Sequence, residues 1–242
     1  MRRPRVHIDS ALRAGDEVEL GEGPARHLLR VLRLRQGDAV TVFNGDGQDY
    51  PGTLVEVDGR RCRVQVEQGI PANTESPLEI SLVQGIARGE RMDWAIQKAV
   101  ELGAAHIQPV FTERTEVRLD QRRAERRLVH WQQIVISACE QCGRARVPIV
   151  APPQRLADVD SPADLGLCLD PRSERRLRQL RQQPATRITL VIGPEGGLSD
   201  TELDSLLARG YLGLRLGPRV LRTETAGAAA IAVLQSLWGD WQ

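Results

Sequence analysis

A single lysine, Lys98, stands among 242 residues, and its position excludes a large ligand class. A phosphate-cradling P-loop needs G-x-x-x-x-G-K-[ST], whereas Lys98 lies nowhere near a glycine-rich loop. Aromatic residues make up only 3% of the chain and the formal net charge is +1, so neither an aromatic stacking platform nor a supercharged nucleic-acid binder is announced. Any RNA surface has to be a local patch. No run of about twenty apolar residues occurs, and Met1-Arg-Arg-Pro-Arg5 is not followed by the apolar stretch of a signal peptide. The expectation is a soluble, cytoplasmic protein with no membrane contact. Four cysteines at irregular spacing fit a reducing compartment better than a disulfide framework. Cys139-x-x-Cys142 would need two further ligands at matching spacing to hold zinc. Leu128, Trp131, Val135, Ala138 and Cys142 recur instead at helical spacing, so no metal is expected and the thiols read as small buried groups.

What the chain does have is two loops rich in glycine and proline. Leu190-Val-Ile-Gly-Pro-Glu-Gly-Gly-Leu-Ser199 and Leu216-Gly-Pro-Arg-Val-Leu-Arg-Thr-Glu-Thr-Ala-Gly227 each read as an apolar strand, a loop and the start of a helix. Free backbone amides at such helix starts can hold a small polar ligand. Ser199-Asp-Thr-Glu202 has the spacing of a capping box, and its helix should run to about Arg209 and stop at Gly210. Thr223 reads as the cap of a helix of small residues, Ala226-Gly-Ala-Ala-Ala-Ile-Ala232, which would let another backbone or a partner subunit approach closely. A Rossmann site requires G-x-G-x-x-G after an early strand; here the pattern is G-P-E-G-G, and too few residues follow for several more βα units. The remaining alternative is a pair of ordinary tight turns.

Residues 1–72 read as β-rich, with short runs at Val18 and Leu20, Val40–Phe43, Leu54–Val57 and Val64–Val66. Asn44-Gly-Asp-Gly and Asp58-Gly mark hairpins between them. A helical interruption from about Pro24 to Leu34 carries Arg26, Arg30, Arg33 and Arg35, and the second hairpin adds Arg60, Arg61 and Arg63. This is either a phosphate-facing stripe or a charge-balanced surface. Pro71-Ala-Asn-Thr-Glu-Ser-Pro77 is the natural linker. Beyond it, from residue 73 to 242, the rhythm becomes α/β: a strand at Leu78–Ile86, a helix at Met92–Leu102 ending on Gly103, and a strand at Ala105–Val110. Leu119–Arg127 reads as a solvated helical face, and Gln154–Pro162 has no clear period.

The two loops together resemble those of the ribosomal RNA small subunit methyltransferase E family, in the SPOUT (trefoil-knot) class. The resemblance extends through Arg30-Val-Leu-Arg33, Arg88-Gly-Glu-Arg-Met92, Ile96-Gln-Lys-Ala-Val-Glu-Leu-Gly103 and Ala138-Cys-Glu-Gln-Cys-Gly-Arg144, in order along nearly the whole chain. It implies an N-terminal PUA-like β-barrel that helps hold RNA and a C-terminal α/β domain with a parallel sheet and a trefoil knot. It further implies S-adenosylmethionine as cofactor, N3 of a uridine in 16S rRNA as target, the assembled small ribosomal subunit as context, and a homodimer. Cofactor residues are then expected at Leu167, Leu169, Ile192, Gly193, Glu195, Gly196, Gly197, Leu216, Gly217, Val220, Leu221, Thr223 and Ala226. Arg222 is the candidate cation that stabilises the uracil anion, and Glu224 and Glu140 are candidate bases. Arg30, Arg33, Arg35, Arg88, Arg91, Lys98, Arg114 and Arg144 are candidates for RNA phosphates. Asp170-Pro-Arg departs from the His-Pro-Arg associated with many members, which puts any role of that histidine in doubt here.

Overall fold

The computed structural model describes residues 3–58, 61–182 and 185–241; Gly59 and Arg60 of the second hairpin, with Met1 and Arg2, lie outside them. The chain divides into two compact units, one formed by Met1–Glu75 with Cys139–Val147, the other by Ser76–Ala138 with Pro148–Gln242.

The first unit is built on β1 (Arg5–His7), β2 (Glu17–Glu19), β3 (Ala39–Phe43), β4 (Gln48–Asp58), β5 (Arg61–Val66) and β6 (Ile70–Pro71). The sheet order is β1-β3-β4-β5-β2, with β6 paired to β4. Period-2 alternation explains its orientation: along β5, Cys62, Val64 and Val66 turn inward while Arg61 and Arg63 face solvent. The inward residues join Val6, Val40, Val42 and Leu54 in one core. The expected Pro24–Leu34 helix is instead α1 (Glu22–Arg26) followed by a π-helical turn, His27–Val31. Its end is set by Arg33, whose φ of 57° lets the Leu34 amide donate back to the Leu28 carbonyl at 3.0 Å. Arg144, expected at an RNA phosphate, is buried in this unit and pairs with Glu75 at 2.6 Å.

In the second unit come β7 (Glu79–Gly85), α2 (Glu90–Glu101), β8 (Ala104–Phe111), α3 (Gln121–Cys142, whose last turn belongs to the first unit), β9 (Ile149–Val150) and β10 (Gln154–Arg155). They are followed by β11 (Leu165–Leu169), β12 (Arg187–Ile192), α4 (Asp200–Ala208), β13 (Tyr211–Leu214) and α5 (Thr223–Trp238). The strands run parallel in the order β10-β8-β7-β12-β11-β13. Near-continuous apolar runs such as Leu190-Val-Ile192 suit strands covered on both faces. Met92, Ala95, Ile96, Ala99 and Val100 recur at helical spacing and form the buried stripe of α2, which packs against α5. The capping box forms as its spacing predicts, the Ser199 hydroxyl accepting from the Glu202 amide and the Glu202 carboxylate from the Ser199 amide. The unpatterned Gln154–Pro162 stretch contains only the two residues of β10 and a 3-10 turn, pieces too short to show a period.

Three of the four thiols lie in the interior, and Cys142, expected to be buried, is half-buried at the end of α3. Cys62, Cys139 and Cys168 are buried; burial above all pushes the Cys139 thiol up to about 12 and the Cys168 thiol to about 11. Since the thiolate is the reactive form, these three should resist iodoacetamide at pH 8 in the folded protein and label only on unfolding, as read by mass spectrometry.

Candidate functional site

Three loops leave the carboxyl ends of β11, β12 and β13 and enclose a cavity of about 630 Å³. That edge of an open parallel sheet is where ligands are expected to bind. Each loop is shaped by its own sequence. After β12, the Gly197 amide closes a turn on the Pro194 carbonyl at 2.8 Å, with Gly197 at φ 70°. The chain folds back so tightly that a Cβ on Gly193 would lie 2.9 Å from the Leu198 nitrogen. After β13, Gly217 takes φ 112°, a conformation that favours glycine. After β11, Asp170 accepts the Arg172 amide at 3.0 Å and the Arg172 Nε at 3.2 Å, while Arg172 Nη1 reaches Asp200 at 2.6 Å. The aspartate at the histidine position therefore anchors the loop through an arginine.

Of the cofactor residues expected from sequence, all but Leu167 line this cavity. Leu167 is 0% exposed within β11, two residues short of the rim, paired with Leu190 of β12 on one edge and Leu212 of β13 on the other. Thr223 is not a cap, because Arg222 occupies that position and Thr223 is the first residue of α5. Its hydroxyl donates to the Gly193 carbonyl at 2.6 Å and accepts from Gln84 Nε2 at 2.9 Å. Glu195 accepts the Arg88 amide and Arg91 Nη1, each at 3.0 Å. Burial raises its carboxyl, but the Arg88 amide, its own backbone amide and the Arg91 guanidinium outweigh that and hold it below the usual range. Glu195 therefore ties its loop to the start of α2.

The arginines sort by engagement. Arg91 is held by Glu195, Arg114 donates to the Gly196 carbonyl at 3.0 Å, and Arg172 is held by two aspartates, although all three line the cavity. Arg88 pairs with Glu116, and Lys98 with Glu101 at 2.7 Å. The Arg30, Arg33 and Arg35 residues of the first unit are exposed. On the loop after β13, Arg215, Arg219 and Arg222 line the cavity with no side-chain hydrogen bond or ion pair among the described residues. Sequence reading passed over Arg215 and Arg219, together with the apolar wall of Leu198 and Leu214. Their only local signal was adjacency to the glycine loops.

The two candidate bases separate. Glu224 lines the cavity, and its Oε2 is buried without a hydrogen-bond partner among the described residues. A carboxylate in the first turn of α5 is also favoured by the helix macrodipole. Glu140 belongs to the first unit, where its carboxylate accepts the His7 amide at 3.0 Å and burial pushes its carboxyl up.

Residues 74–235 match the model of an RNA methyltransferase domain, and residues 25–67 that of an RNA methyltransferase PUA domain. The chain is 31% identical over 242 residues to the ribosomal RNA small subunit methyltransferase E of Buchnera aphidicola from Acyrthosiphon pisum, covering 99% of this chain and 95% of that protein. A solved ribosomal RNA small subunit methyltransferase E from Neisseria gonorrhoeae, bound to S-adenosyl methionine, is 38% identical, with a TM-score of 0.92 and full coverage of both chains. A Legionella pneumophila protein, solved in complex with the bound cofactor SAM, is 39% identical, with a TM-score of 0.94 over 99% of this chain and 100% of that one. By sequence along its whole length and by fold, the chain belongs to the ribosomal RNA small subunit methyltransferase E family.

Proposed function

We propose that this protein transfers a methyl group from S-adenosylmethionine to N3 of a uridine in 16S rRNA, within the small ribosomal subunit in the cytoplasm. The observation that carries the reading is the three-loop cavity, which brings the free guanidinium of Arg222 and the buried carboxylate oxygen of Glu224 beside the glycine turns.

The residues fit the cofactor. A cavity of about 630 Å³ lies within the usual range for small-molecule sites. Ile192, Leu216 and Leu221 offer apolar contact for adenine, and the glycine turns present backbone without side-chain bulk. The partnerless oxygen of Glu224 suits a cationic ligand. When bound, the cofactor supplies an electrophilic methyl group on a sulfonium.

The difficulty the protein must overcome is the proton on N3. Uridine titrates about two pH units above neutrality, so forming the nucleophilic anion costs roughly 3 kcal/mol at pH 7. Arg222 would stabilise charge developing on the uracil carbonyl oxygens. Glu224 would accept the N3 proton directly or through solvent. Arg215 and Arg219, unengaged on the same loop, would meet flanking phosphates, as would Arg30, Arg33 and Arg35 of an RNA-binding domain spanning residues 1–72.

Residues 73–242 form the catalytic domain of this proposal, with a C-terminal trefoil knot, and two copies pair to complete the site. Support for pairing comes from Ala228, Ala229 and Ala232, small residues of α5 left partly exposed.

The test is to incubate the protein with S-adenosylmethionine and undermethylated small subunits, digest the rRNA and identify modified nucleosides by mass spectrometry. The expected product is 3-methyluridine at one position. A different methylated base would overturn the N3 assignment, and absence of cofactor binding in the folded protein would overturn the enzymatic reading.

A further inference from the structure

We infer that Gln84 is a positioning residue for the methyl donor: acting through the Thr223 hydroxyl, its side-chain amide fixes the Gly193 carbonyl and sets the spacing between the two glycine loops. The inference rests on the reading of the cavity as a donor site.

Gln84 is the next-to-last residue of β7, is 0% exposed, and does not line the cavity. Its neighbours Leu82, Val83 and Ile86 are buried and apolar, as this sheet position favours. Burying a primary amide among them is costly unless its polar atoms are bonded. The Nε2 group donates to Thr223 Oγ1 at 2.9 Å and to the Gly85 carbonyl at 3.0 Å. Thr223 in turn donates to the Gly193 carbonyl at 2.6 Å.

The polarity of this relay is fixed by chemistry. A carbonyl only accepts, so the single hydroxyl proton of Thr223 goes to Gly193, and only an acceptor lone pair remains to face Gln84. Gln84 must therefore present its NH₂ end. Its Oε1 is left buried with no partner among the described residues. A leucine would fill the position without that unsatisfied acceptor, so the chemical use of the glutamine lies in its donor end.

The relay joins segments far apart in sequence. Gln84 lies one residue from the end of β7, the strand beside β12, Thr223 begins α5 directly after Arg222, and Gly193 opens the turn after β12. With both loops tied to one side chain from the sheet, Gly193 and the first turn of α5 hold one spacing before any ligand arrives. Binding then loses less to loop ordering.

The experiment measures S-adenosylmethionine affinity by titration calorimetry, with the melting temperature of each variant as a control. Gln84→Met keeps the length and removes the donors; it should bind at least tenfold more weakly. Thr223→Val should do the same, and the double variant should bind no more weakly than Thr223→Val alone, because both changes break one relay. Gln84→Glu separates positioning from packing. Burial raises the carboxyl pKa, and only the protonated acid has an O–H to give Thr223, so its donor affinity should recover as pH falls from 8 to 6 while the wild-type protein shows no such recovery. If Gln84→Met fails to fold, Thr223→Val and the pH series on Gln84→Glu decide. Wild-type affinity in Gln84→Met, losses that add in the double variant, or a Gln84→Glu protein indifferent to pH would overturn the relay while leaving the donor site standing. A folded wild-type protein that binds no donor would overturn both.

Discussion

Replacing Arg222 with alanine should lower the rate of methyl transfer by about 10²- to 10³-fold, the usual loss when one donor to a developing oxyanion is removed, while S-adenosylmethionine affinity changes by less than about threefold. The asymmetry follows from the side chain's situation. Arg222 is the N-cap of α5 and its backbone carbonyl accepts the Ala226 amide at 2.8 Å, a bond that alanine keeps. Its guanidinium is exposed and has no side-chain partner among the described residues, so little folding energy depends on it. In the proposed reaction charge would appear on the uracil only as N3 is deprotonated, and the guanidinium would therefore act on the reaction more than on the bound cofactor. Arg222→Lys should recover only part of the loss, since an ammonium lacks the planar fork that can span two acceptors. Single-turnover rates on small subunits, paired with calorimetric affinities, test this. Equal losses in rate and in cofactor affinity would mean that Arg222 holds the cofactor instead.

The glycine loops that line the cavity were legible in the sequence because their determinants are local. Gly193-Pro194 with the Ser199/Glu202 box, and Gly217-Pro218, each lie within a single loop and its following helical turn, and the structure forms the box and the left-handed Gly217 accordingly. The helix read at Met92–Leu102 and ending on Gly103 was equally plain and is found as α2 (Glu90–Glu101), since local pattern and a glycine stop need no knowledge of the partner. What was not legible depends on residues distant in sequence. Arg144 sits in a motif that the family resemblance links to RNA, yet it meets Glu75, 69 residues earlier, in a largely buried pair. Arg91 and Arg114 look like any exposed arginines until Glu195 and the Gly196 carbonyl are found on them. Thr223 has the residue type of a cap, but with Arg222 at the N-cap position its hydroxyl turns to Gly193 and Gln84. Leu167 failed for a simpler reason: an apolar run shows that a strand is buried, but not which of its residues reaches the rim. Cys139–Val147 joining the first unit has no local signal at all.

Gly85→Ala should weaken S-adenosylmethionine binding by about tenfold or more, although it adds one methyl group to a residue outside the cavity lining. Gly85 is the last residue of β7, the strand beside β12, at the point where the turn after β12 departs. A Cβ there would lie 2.5 Å from the Pro194 nitrogen, 2.6 Å from Pro194 Cδ and 2.9 Å from the Gly193 carbonyl carbon. Real Cβ contacts essentially never fall below 3.0 Å, and the obstructing atoms are mostly backbone, so no flexible side chain can swing clear. The Gly193-Pro194 segment must move by about half an ångström or the end of β7 must bend, and overpacking of this kind typically costs about 1–3 kcal/mol. That displacement falls on Gly193, whose carbonyl receives the Thr223 hydroxyl, so the shift propagates from the first glycine loop to the second. If the overpacking is relieved by moving the turn off its binding geometry, that cost corresponds to about 5- to 150-fold in affinity. Gly23→Ala is the matching control, because a Cβ at that position meets nothing within 4 Å and its backbone is not left-handed; it should leave affinity unchanged. Calorimetric titration of the two variants against the wild-type protein decides the matter. Unchanged affinity in a folded Gly85→Ala protein would mean that the turn after β12 is not the surface on which the cofactor sits.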